Sequence, residues 1–242
     1  MKQLQLTGIA ITSAVLIPAA AAALTSVGDI AFTAYSPTAE NFAFAALTDI
    51  DAGQAIFFDD QEWTGTAFAN TTSEGNARWT NNTGSTISAG TIITITDASN
   101  NAGGTANIGL VEEINGGFNL ATTDGVFAYL GTDRSPTVFL AGIGDADSTS
   151  GLTSLTGTGL TLGLSALDTN ASGTIEYTGP RSGEGSFADY LPLINNLANW
   201  SAAPSVDAGT FNSTSIDSVP EPSSTILIGI GALSLTLRRS RR

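Results

Sequence analysis

Apolar and polar residues alternate along much of the chain, and the alternation predicts strands. Ile30, Phe32 and Ala34 point one way and Asp29, Ala31, Thr33 and Tyr35 the other, so residues 28–35 read as a half-buried strand. A turn at 36–40 leads to Phe42, Phe44 and Ala46, which keep the period of two. A loop at 49–53 opens into a strand over 54–59. Residues 59–90 are long and polar, with Trp63, Phe68 and Trp79 predicted to pin them down, a short strand at 77–80 and a turn at 81–84. Ile and Thr fill 91–96, a strong strand composition. Further strands are predicted at 106–111 and 117–120 around the Asn115-Gly116 turn, and at 125–130 and 137–141 as a hairpin. An edge strand near 160–164 and a short strand at 174–177 complete the set. Over 186–199, Phe187, Tyr190, Leu191, Ile194 and Leu197 form one apolar helical face, which Pro192 divides. Short strands, Gly- and Asn-rich turns and one helical segment predict a mainly β fold, an antiparallel β-sandwich with one short helical segment.

The two ends have a different pattern. Lys2, an apolar run at 9–18 and small residues at 19–23 predict a signal peptide over 1–23. Near the C-terminus, Pro220 and Pro222 hold Glu221 on an extended segment. The uncharged run 225–237 would span roughly 20 Å as a helix, short of a ~30 Å hydrocarbon core. Ser223, Ser224 and snorkelling arginines extend it to a transmembrane helix over about 223–238. Arg238, Arg239, Arg241 and Arg242 form a membrane stop that stays cytoplasmic and leaves the upstream chain outside. Between the ends lie a sandwich domain, 24–205, and a linker, 206–218, with a partial strand at 209–211.

Val219, Pro220, Glu221 and Pro222, followed by the greasy run and the arginines, resemble the PEP-CTERM sorting signal of Gram-negative bacteria that make extracellular polysaccharide. The likeness covers residues 219–242. It implies Sec export, a transient inner-membrane anchor, recognition by an exosortase-type membrane enzyme, cleavage near 220–222, and delivery to the cell surface or matrix. The body carries a second resemblance, over about 28–200. Its residues 28–32, 57–60 and 74–79, Tyr177 with Gly179, and Asn199 with Trp200 are similar to a recurring β-sandwich module of bacterial surface proteins. The module's signature F-T-D-x-x-W-T-G falls on residues 58–65, with Asp59 where Thr is usual. No catalytic residue is carried over by that likeness.

Charge sharpens the picture. Lys2, four arginines and Glu221 lie in the terminal signals, leaving 3 basic against 21 acidic residues in the body, a charge of -18. Nucleic acid, which needs phosphate-neutralising cations, is excluded as a partner. The absence of Cys and His removes disulfides, His-based zinc sites and triads built on imidazole.

Chemistry concentrates in one acidic stretch. Asp59, Asp60 and Glu62, with Glu74 folded back, form a candidate calcium site, since calcium takes six to eight oxygens. The competing reading is an acidic loop in which Asp59 or Asp60 caps backbone N–H groups. Asp145 and Asp147 near Asp133 have a D-x-D spacing but lack the Gly and Glu of an EF-hand. Trp63 and Trp79 are candidate glycan-stacking platforms; their competing role is to cover the core. The expectation is a non-enzymatic exported protein, structural or adhesive in an exopolysaccharide matrix. A calcium-dependent glycan-binding module and a carboxylate-based glycoside hydrolase are the alternatives.

Overall fold

The computed structural model describes residues 23–69, 74–99, 104–148, 151–170, 173–203 and 215–219. Within them the fold is mainly β. Six strands form one sheet in the order β13-β11-β1-β2-β5-β6, and six form a second in the order β10-β9-β8-β3-β4-β7. The first comprises β1 (Ile30–Ser36), β2 (Asn41–Ala46), β5 (Ile92–Thr96), β6 (Thr105–Ala106), β11 (Ile175–Tyr177) and β13 (Trp200–Ala202). The second comprises β3 (Ala55–Asp59), β4 (Asn76–Thr80), β7 (Leu110–Asn115), β8 (Gly125–Thr132), β9 (Ser135–Gly144) and β10 (Ala166–Asp168). Within these two sheets pairing is antiparallel except between β9 and β10. Between the sheets, Phe58 meets Phe42 at 4.8 Å and Phe44 at 5.5 Å, ring centre to ring centre. Trp79 stands edge-on to Phe44 at 5.6 Å.

The predicted alternation in β1 fails beyond Phe32. Phe32 pairs with Phe44 but Ala34 pairs with Ala43, so Thr33 is an extra residue in a bulge. A bulge reverses the facing of everything after it. Tyr35 therefore joins Phe32 on the core face, opposite Phe42, and its hydroxyl donates across the sandwich to the Asp124 carbonyl at 3.1 Å.

The second sheet is apolar on both sides. Facing away from the sandwich, Phe57, Phe127, Tyr129 and Phe139 form their own cluster, capped by Trp63, Phe68, Leu152 and Leu160 from connecting segments. This double burial explains why 56–58 and 126–129 are continuously apolar. The first sheet's outer face, lined by Ala31, Ala43 and Ala45, belongs to the core that includes Tyr190 and Ile194 of the helical segment. Small side chains there let the short helix α1 (Leu191–Ile194) pack against β1.

Several element boundaries differ from expectation. The weak strand predicted at 106–111 is split between β6 and β7, and 117–120 is not a strand because Phe118 and Leu120 are buried as a cap to the core. Residues 160–164 contribute Leu160 to the outer cluster, and the edge strand is β10, a few residues later. The helical segment expected over 186–199, as one helix or as short turns divided at Pro192, is three short turns, Phe187–Tyr190, Leu191–Ile194 and Leu197–Asn199. Pro192 sits in the first turn of the middle one, where its missing N–H costs nothing.

A further ribbon pairs β12 (Ser182–Glu184) in parallel with β14 (Asp217–Ser218), so the end of the stretch read as a linker lies on the body. Among the described residues no helix is long and apolar enough to cross a membrane. All but the last residue of the predicted signal peptide, the partial strand predicted at 209–211 and the span predicted at about 223–238 lie outside the described residues.

Candidate functional site

The acidic stretch begins where β3 ends, and strand geometry splits it. Asp59, the last residue of β3, faces the same way as Phe57, whose ring stacks on Tyr129 at 5.5 Å. The Tyr129 hydroxyl donates to Asp59 Oδ2 at 3.4 Å, and Gln61 N–H donates to Oδ1 at 3.2 Å. Asp60 bonds groups outside that cluster. Its Oδ1 accepts from Gly75 N–H at 2.8 Å and its Oδ2 from Asn119 N–H at 2.6 Å. Both aspartates are essentially inaccessible, 0% and 1% exposed, and both cap backbone donors. Glycine is required at Gly75, because a Cβ there would collide with the backbone at Asn115, Gly117 and Phe118.

Glu62 and Glu74 are half-buried, each with one carboxylate oxygen sealed from solvent and without a hydrogen-bond partner. The Glu74 carbonyl is held by Gln61 Nε2 at 3.3 Å and Arg134 Nη2 at 3.0 Å. Among the described residues no three acidic side chains are grouped so as to hold a metal ion. Asp59 and Asp60 each take the capping role, the competing reading of this stretch. Asp145 likewise caps its own turn, accepting from Asp147 N–H at 2.8 Å and Ser148 N–H at 3.2 Å. Asp133 instead takes Asn76 Nδ2 and Asn115 Nδ2, both at 2.8 Å, which ties the β8–β9 turn to β4 and β7.

Burial raises the pKa values of this group. Asp59 is pushed up to about 7, chiefly by desolvation and against the Gln61 hydrogen bond and the Arg134 charge. Desolvation pushes Asp60 to about 8 despite its two backbone donors, with Glu74 and Asp59 adding repulsion. Glu74 is raised to about 6 by burial and the charges of Asp124 and Glu62. Raised carboxyls hold protons that the unfolded chain releases from 3.8 upward for aspartate. Their contribution to stability is full below that value and is lost as pH climbs through the folded values. The melting temperature is therefore expected to fall from pH 4 to about pH 8. Thermal unfolding across that range tests this, and Asp59→Asn should flatten the slope; a Tm rising toward pH 8 contradicts it.

Neither tryptophan offers a ring face to a sugar. Trp79 is 0% exposed and its indole N–H donates to the Ile108 carbonyl at 2.7 Å. Trp63, 8% exposed, packs edge-on against Phe68 and Phe139 and donates to the Thr156 carbonyl at 2.8 Å. Both cover apolar clusters, because an indole buried with its N–H satisfied is worth more there than in water. A cavity of about 370 Å³ opens beside β10 and α1, lined by Leu167, Asp168, Pro192, Asn195, Asn196 and Leu197 among others. Asp168 is its one carboxylate, so it lacks the pair that glycoside hydrolysis requires.

Sequence reasoning missed Asp124, Tyr129, Asn119 and Arg134, which complete the network from 45 or more residues away. None carries a local motif. Asp124 precedes a strand and Arg134 sits in a hairpin turn, ordinary positions for polar residues.

The sorting motif begins where the described body ends. Val219 is half-exposed and its N–H donates to the Glu184 carbonyl; Pro220, Glu221, Pro222 and the four terminal arginines lie outside the described residues. Residues 218–242 match the family model of the PEP-CTERM protein-sorting motif. This motif is the substrate signal of exosortase enzymes, which makes an exosortase a partner of this chain. No curated protein and no solved structure matches the chain.

Proposed function

We propose, with a C-terminal sorting motif at 218–242 as the premise, that the chain is an exported, non-enzymatic surface protein processed by an exosortase. Its body is delivered to the cell surface or extracellular matrix and serves there as a structural or adhesive unit within exopolysaccharide. The observation that carries this reading is the order of the chain: a closed β body, then the motif, then an apolar run and an arginine stop. The body suits that destination. It is free of cysteine, carries a charge of -18 that favours solubility, and commits its buried carboxylates to backbone capping.

Intact-mass measurement of protein from the native host tests this directly. The expected species begins near residue 24 and ends near residues 220–222. A surface fraction holding the full chain, with both termini present, overturns the reading.

A further inference from the structure

We infer that residues 215–219 form a strap on the body that must lift before the sorting motif is processed. The inference rests on the exosortase reading above. Ile216 is 1% exposed and sits in the main core, its N–H donating to the Gly90 carbonyl at 2.8 Å. Asp217 N–H donates to the Arg181 carbonyl at 2.7 Å, and the Tyr190 hydroxyl donates to the Asp217 carbonyl at 2.6 Å. Ser218 pairs with Glu184, and Val219 N–H is taken by the same residue's carbonyl. The fit is close: a side chain at Gly90 would strike the Ile216 carbonyl and the Phe187 ring.

The docked stretch reaches Val219, so the body holds the first residues of the matched motif, 218 and 219, immediately before Pro220. One residue of extended chain reaches only about 3.5 Å. An enzyme gripping 220–222 in extended form therefore meets the body around Glu184 and Tyr190 with no slack. Lifting residues 215–219 supplies about 17 Å of free chain. It exposes one buried side chain and a few hydrogen bonds at the margin of the domain, so it costs less than global unfolding. Processing breaks a peptide bond near the motif; the acyl carbon passes to water or another acceptor nucleophile, and the released amine takes up a proton. The strap controls how often that bond is presented, through the fraction of molecules in which it is off.

The test follows processing of the full chain in its native host by pulse-chase, read as loss of the tail mass. A flexible spacer of about six residues after Val219, followed by a repeated Ser-Val so that the motif stays contiguous, adds roughly 20 Å of reach while leaving the strap docked. Ile216→Ser undocks it. Both variants are expected to be processed faster, Ile216→Ser by about tenfold, the change that one buried isoleucine's share of docking implies, and the spacer, which bypasses docking altogether, by at least as much. A spacer variant processed at the parental rate overturns the strap, even if Ile216→Ser destabilises the body. A parental chain never processed at all overturns the exosortase reading, and the strap with it, so the two failures are distinct.

Discussion

Phe58→Ala is expected to destabilise the body by about 3–5 kcal/mol, lowering its melting temperature by roughly 10 °C or more. Phe58 is fully buried at the centre of the sandwich and its ring lies 4.8 to 6.2 Å from those of Phe42, Phe44 and Phe32. Those rings belong to the opposite sheet, and β-sheet backbones on both sides resist collapse into the space left behind. The neighbouring Phe57→Ala removes the same atoms from the outer cluster, where Phe57 is 7% exposed under connecting segments. Segments of that kind can settle inward, so the cost there should be about 2–3 kcal/mol. Denaturant unfolding of both variants checks the pair, and equal losses would mean that the outer cluster is as rigid as the inner one.

Asp60→Ala is expected to cost about 2–4 kcal/mol at neutral pH. The substitution strands the buried Gly75 N–H, worth about 1–3 kcal/mol alone, and releases Asn119 N–H, which lies nearer solvent. Asp60 is also what fastens the return of the long 59–76 connection to the segment after β7. Loss of stability should thus be joined by faster amide exchange at Gly75 and Asn119. The isosteric Asp60→Asn, which keeps one good acceptor, should lose about half as much. A variant that loses nothing would mean that Asp60 caps neither donor in solution.

Both results depend on features unevenly legible in the sequence. Period-two alternation located β1 and β2, although both of their faces are buried, because large side chains face the other sheet and small ones lie under the helical segment. It misassigned Tyr35 because a bulge at Thr33 leaves no compositional trace. The doubled Phe57-Phe58 and the unbroken 126–129 are a signal of burial on both faces, yet which segment covers the second face is a matter of tertiary contact. Acidic residues at 59–62 marked the place, and of the two readings they offered the structure displays the backbone capping. Adjacent strand residues face apart, so Asp59 and Asp60 each found backbone donors on its own side. The sorting motif was fully legible because its parts are contiguous, whereas the strap depends on contacts with Gly90 and Arg181, far away along the chain.

The sheet margins have a consequence for a protein crowded onto a surface. An outermost strand presents open N–H and C=O groups that invite a neighbour's strand, the first step toward fibres. Here β6, β10 and β13 are two or three residues long, too brief to template growth. The longer β7 carries Glu112 and Glu113, and Arg78 on the adjacent strand is engaged by Glu112 at 2.7 Å. A like strand approaching there would bring negative charge against negative charge. Copies held side by side should therefore stay separate molecules, free to turn their other faces to whatever surrounds them.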